Sequence, residues 1–156
     1  MKTMILVLAL LALAAPGVAQ MQNFYAGGVS YQPGASPAVA GTGLYARLIA
    51  GEGTYAFGVL DALPASLRPF SVSTQVGGGI AQKLATLGGV QIYVPTSAGI
   101  SWNGKNTGWA WSTGGMAVVS IKGSWKVCPN VRALKSSVSG GSDYQVLFGV
   151  LLGYGR

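Results

Sequence analysis

Histidine is missing from this 156-residue chain, cysteine occurs once, and the acids number three, Glu52, Asp61 and Asp143. Acid-base, nucleophilic and metal-assisted catalysis each require a base, an acid or a group of ligands gathered in one site. Three separated carboxylates and one thiol do not supply that, so no catalytic, metal or cofactor site is expected and serine-histidine chemistry is excluded. Cys128 has no partner for an intramolecular disulfide and reads as a passive space-filler. Gly77-Gly78-Gly79 lacks the Lys-Ser/Thr ending and following helix of a phosphate loop, and reads as close strand packing or a bulge.

Charge is scarce too. Only 8% of residues are charged, where soluble domains carry roughly a quarter. The formal charge of +7 comes from ten basic residues scattered along the chain, not clustered as nucleic-acid binding requires. After the first twenty residues no apolar run approaches the ~20 residues of a membrane-spanning helix. The first twenty read as a leader: Lys2, an apolar Met4 to Ala15, then Pro16-Gly17-Val18-Ala19. Residues 1–19 are therefore expected to be a cleaved signal peptide and 20–156 the mature domain.

What remains is rich in period-two patterning. From Gln22 onward, stretches of about ten residues alternate between two faces and are separated by Gly, Pro, Asn, Ser or charge, the signature of strands and turns. In the last stretch Tyr144, Val146, Phe148, Val150, Leu152 and Tyr154 oppose Gln145, Leu147, Gly149, Leu151 and Gly153. Val90 to Trp102, Trp109 to Lys122, Trp125 to Leu134 and Ser71 to Ile80 repeat the pattern, with one bulky face and one small or polar face. Phe24 to Tyr31, Thr42 to Ala50 and Thr54 to Leu60 also read as strands, with faces less clearly divided. The count is eight.

Three observations bear on which face meets the surroundings. In the five clear strands the bulky face carries no charge, whereas Lys122, Lys126 and Arg132 sit on the other; a soluble domain inverts this. Aromatics concentrate near strand ends, as they do at water-lipid boundaries: Tyr31, Phe70, Trp102, Trp109, Trp111 and Tyr144 toward one rim, Phe24, Tyr25, Tyr55, Trp125 and Tyr154 toward the other. Connections also alternate, with short turns near Gly51-Glu52-Gly53, Lys83 to Gly88 and Gly123-Ser124, and longer ones at Gln32 to Gly41, Asp61 to Pro69 and Lys135 to Asp143. Pro95 and Pro129 lack the amide a ladder needs, so a bulge or strand end is expected at each.

Taken together, the chain resembles the small bacterial outer-membrane barrels of the OmpA and OmpX type. The resemblance implies an all-β fold, an eight-stranded antiparallel up-and-down transmembrane barrel behind a signal peptide, with outer-membrane lipid and the barrel-assembly machinery as partners. Within it, Gly149, Leu152 and Tyr154 match the C-terminal assembly signal, although Leu147 stands where a polar residue is usual and Gly155-Arg156 extend past the aromatic. The expected lumen lining is Arg47, Gln75, Gln91, Tyr93, Lys126, Asn130 and Arg132. Small inward residues such as Gly77, Gly79, Gly99 and Gly114 leave room for a wet cavity or narrow passage. Either the cations make the interior favour anions, or Tyr45, Tyr93, Gln75, Gln91 and Asn130 bridge them through hydrogen bonds and water. The functional expectations are a non-catalytic structural or surface-interaction barrel, a small anion-leaning pore, or a soluble exported barrel that binds an apolar ligand.

Overall fold

The computed structural model describes residues 23–33, 39–50, 53–67, 70–88, 90–122, 124–138 and 144–155, and of 64–67 and 70–72 the backbone alone. The leader expected at 1–19 lies outside the described residues. Eight strands follow one another: β1 (Asn23–Tyr31), β2 (Val39–Ala50), β3 (Thr54–Leu67), β4 (Phe70–Leu87), β5 (Val90–Trp102), β6 (Thr107–Lys122), β7 (Trp125–Ser136) and β8 (Gln145–Gly155). Each pairs antiparallel with its sequence neighbours, and β8 pairs back onto β1 from Phe24 opposite Gly155 to Tyr31 opposite Phe148, closing the barrel.

Following partners around the ring from Phe24 through Ala46, Phe57, Gly79, Ser97, Ser112 and Leu134 reaches Gln145, whose place on β1 lies beyond Tyr31. This stagger is what a closed sheet of tilted strands requires. Both described chain ends, Asn23 and Gly155, lie at one mouth, here the terminus end; the other mouth is the loop end.

The strands outrun the alternating segments. β3 continues through Asp61 to Leu67, so most of the stretch expected as a loop from Asp61 to Pro69 is strand. A register shift between Pro64 and Ser66 lets the ladder pass that proline. Pro95 and Pro129, by contrast, are neither bulges nor strand ends. Pro95 keeps its pairing with Ala81 while the β5–β6 register passes from Tyr93–Met116 to Thr96–Thr113 unshifted. Pro129 keeps Val150 while β6–β7 passes from Met116–Asn130 to Val119–Val127. Each missing amide faces a single neighbour, so one ladder opens and the other holds.

At the loop end β5 and β6 are joined by a tight turn. Asn103 Oδ1 accepts from the amides of Lys105 at 3.1 Å and Asn106 at 2.8 Å, and Gly104 supplies the φ of +86°.

Alternation sorts the side chains into an outer wall and an interior. Val29, Leu60, Ile80, Trp102, Phe148, Val150 and Leu152 are exposed on the wall. The interior has three layers. Ala40, Leu63, Leu134 and Leu147 pack together toward the loop end. Two residues further along β2, β3 and β7 come Thr42, Asp61 and Arg132, which are polar and buried. Beyond these, toward the terminus end, Phe57, Val59, Tyr93, Met116, Cys128 and Leu151 form a second apolar cluster.

Small inward residues do not leave a passage through these layers. A Cβ on Gly79 would collide with the backbone of Thr96 and Ser97, one on Gly99 with Val76 and Gly77, and one on Gly114 with Val131 and Arg132. The neighbouring strands have closed into the space.

Candidate functional site: the barrel interior

Arg132 is the hub of the middle layer. From β7 its guanidinium donates to both carboxylate oxygens of Asp61 on β3, Nη1 to Oδ2 at 3.1 Å and Nη2 to Oδ1 at 2.6 Å. Nη2 also donates to Thr42 Oγ1 at 3.2 Å, and that hydroxyl donates to Asp61 Oδ1 at 2.7 Å. The side chains of Arg132 and Asp61 are 8% and 2% exposed. Such a fork-to-carboxylate geometry satisfies both charges away from bulk water. Around it, Ser97 and Ser112 share a hydrogen bond of 2.8 Å and Ser136 donates to Ser101 at 2.6 Å. The cavity left between Asp61, Gln75 and Ser112 is about 10 Å³, room for about one water at most.

The expected lumen residues therefore divide. Gln75 and Arg132 are buried in or beside the middle layer. Asn130 faces inward, donating to Cys128 O at 3.3 Å, and its Oδ1 is buried without a protein partner. Gln91, Tyr93 and Lys126 belong to the terminus end. Arg47 does not line the lumen: it shares the outer face of β2 with Tyr45, while Ala46 between them points in. Tyr45 is also on the wall, its ring centre 4.9 Å from that of Tyr25 at a tilt of 37°, and it donates to Asn23 Oδ1. The cation-rich, acid-poor interior expected from the sequence is corrected on both counts, because Arg47 is outside and Asp61, read as the start of a loop, neutralises Arg132.

The terminus end is built otherwise. A cavity of about 210 Å³ lies there, lined by apolar side chains including Phe24, Leu44, Phe57, Met116 and Val118, with Asn23, Gln91, Lys126 and Gly155 toward its mouth. Tyr55 and Tyr93 meet edge to face at 5.5 Å on its wall. Tyr93 donates to Gln91 Oε1 at 3.0 Å, and Lys126 Nζ donates to Ser120 Oγ at 2.8 Å. Phe24 and Tyr55, expected on the rim, point into this cavity instead, one step out of phase with Tyr25 and Tyr45.

Of the other rim aromatics, Tyr31, Trp102, Trp109 and Tyr144 are exposed at the loop end, where Trp111 packs edge-on to Tyr144 at 5.7 Å and Lys135 lies 5.0 Å from the Tyr144 ring centre. Trp125 and Tyr154 pair at 5.5 Å at the terminus end. The Phe70 side chain lies outside the described ones. In β8, Leu152 and Tyr154 face outward while Gly149 faces in, leaving space for Ser30 and Asn130.

Sequence reasoning missed Asp61 and Thr42, as well as the pocket walls from β1 to β3. The alternation of Val59, Leu60, Asp61, Ala62 and Leu63 was the signal that Asp61 belongs to a strand and shares the inward face of Val59 and Leu63.

No protein-family profile and no curated protein matches the sequence. Among solved structures, the chain is similar to a major outer membrane protein from Thermus thermophilus, at 8% identity and a TM-score of 0.65 over 88% of this chain and 100% of that one. The N-terminal β-barrel domain of Pseudomonas aeruginosa OprF is similar at 10% identity and a TM-score of 0.61, covering 87% and 97%. A de novo designed transmembrane β-barrel matches at 14% identity and a TM-score of 0.50, covering 91% and 100%. At these identities the likeness concerns the fold, and it agrees with strand count, closure and pairing: the chain has the eight-stranded, closed antiparallel barrel architecture of the OmpA and OmpX type.

Proposed function

We propose that this protein is a non-catalytic bacterial outer-membrane barrel with a structural or surface-interaction role, exported behind a signal peptide at 1–19 and inserted by the barrel-assembly machinery. The observation that carries the reading is the outer wall. Val29, Val150 and Leu152 are 60%, 54% and 52% exposed, and neighbouring wall positions hold Leu60, Val76, Ile80 and Phe148, also exposed. Soluble proteins rarely expose contiguous apolar patches beyond a few hundred Å², whereas hydrocarbon tolerates that wall and demands a sheet without unpaired backbone. A soluble exported barrel would leave the same wall in water.

The experiment is membrane fractionation with a heat-modifiability gel. Extraction by detergent only, with altered migration before boiling, is the expected result; recovery from the soluble fraction overturns the reading. The middle layer favours a plugged scaffold over the small anion-leaning pore, since Arg132 is engaged by Asp61 in a layer with little free volume. Planar-bilayer recordings are expected to give no conductance steps. Steps whose selectivity reverses in Arg132→Glu would favour the pore.

A further inference from the structure

The terminus-end cavity has a chemistry that a structural role does not use. We propose that it binds a fatty carboxylate, an anionic single-chain amphiphile, with the alkyl chain inside the barrel and the head group at Lys126. This goes beyond the preceding reading, because the pocket is internal whatever surrounds the wall.

The walls favour a chain. Phe24, Leu44, Phe57, Met116 and Val118 come from four different strands and present carbon to the cavity. At about 210 Å³ it accommodates roughly six to eight methylene-sized groups, taking each as about the ~30 Å³ of a liquid water. Its inner end is shut off by the layer holding Asp61 and Arg132, so a ligand enters and leaves by the same mouth.

The mouth favours a carboxylate. Among the described lining residues Lys126 is the single charged group. Its ammonium has three donors, of which one goes to Ser120 Oγ at 2.8 Å. The ion pair of Arg132 with Asp61 is the one salt bridge among the described residues, so Lys126 holds no carboxylate there. Gln91 stands at the same mouth with its Oε1 already accepting from Tyr93, which leaves the amide to donate. An apolar chamber with a cation and an amide donor at its opening complements an anionic head and a short tail, and repels a cationic head of equal length.

Met116 is the methionine that lines the cavity, so its ¹³C-methyl resonance reports occupancy. The protein recovered from membranes is placed in nanodiscs of zwitterionic lipid and titrated with sodium octanoate or octyltrimethylammonium. Octanoate is expected to move the Met116 signal saturably, and the cation of the same chain length to bind at least tenfold more weakly. Lys126→Gln is expected to weaken octanoate about tenfold, Lys126→Arg to retain it, and Ala46→Phe, which fills the cavity, to abolish the shift. Heat-modifiable migration of every variant reports folding separately, so failure of the pocket is distinguishable from failure of the barrel. The proposal is overturned by an unsaturable drift equal for both head groups, which is partition into lipid. It is equally overturned by binding indifferent to Lys126→Gln, or by no response, the result if water or the segment before Asn23 fills the space.

Discussion

The two halves of the barrel interior solve one problem in opposite ways. Toward the loop end, small serines and glycines draw the strands together until an ion pair, hydroxyl pairs and four apolar side chains fill the space. Toward the terminus end, larger side chains such as Phe24, Tyr55 and Met116 stand around the wall and leave a cavity of about 210 Å³. The lesson is that inward residue size does not predict inward space. Small residues let backbones approach, as at Gly99, while bulky ones prop the wall and leave a gap between their tips.

The contrast can be broken most forcefully at the ion pair. Asp61→Ala leaves Arg132 buried without its counter-charge and is expected to cost about 3–5 kcal/mol in urea unfolding from lipid vesicles. Replacing Asp61 and Arg132 together by Leu and Met should restore most of that loss. Next come paired truncations: Leu147→Ala, in the packed half and 0% exposed, is expected to cost about 2–5 kcal/mol. Val118→Ala, on the cavity wall and only partly buried against the second cluster, should cost about 1 kcal/mol, because one side of the lost methyls already faces open space. Overfilling should reverse the order. Ser97→Phe is expected to prevent heat-modifiable folding, whereas Ala46→Phe folds with a stability change of about 1 kcal/mol or less. The mildest probe is chemical. Cys128 is buried beside the cavity at 0% exposure, so a maleimide reagent should label it at least a hundredfold faster after boiling than in the folded barrel.

How much of this was readable in the sequence differs between strands. In β4 to β8 one face is bulky and, apart from Lys135 at the loop end of β7, uncharged, and the other mostly small or polar, so Val146 to Tyr154 declare the outer wall by themselves. In β1 and β2 glycines and alanines occupy both faces, and the phase has to be set by pairing. Tyr25 faces Tyr45 across the wall, and that register carries Arg47 outside with them. The sequence, with the faces of this strand less clearly divided, had placed Arg47 among the lumen residues. At the end of a strand, however, a long cationic side chain can lie along the wall and reach polar surroundings.

The ion pair was further from view. Asp61 and Arg132 are separated by 71 positions and stand on strands that are not neighbours in the sheet, so only curvature brings them together. The eight-strand count, by contrast, follows from alternation and turn spacing, and the closed order was what the resemblance to small outer-membrane barrels implied.

Closure through β1 and β8 also constrains how the molecule is made. Gly28 and Leu151 are partners, so the free side of the first strand is satisfied only by the last of the eight described strands. Until β8 arrives the molecule is an open ribbon with two adhesive margins, and its seam is the contact of longest sequence separation, the kind that forms slowly. A chain that lacks β8 keeps the other seven strands yet leaves the free side of β1 unpaired, so the seam between the first and last described strands decides whether the ribbon becomes a barrel.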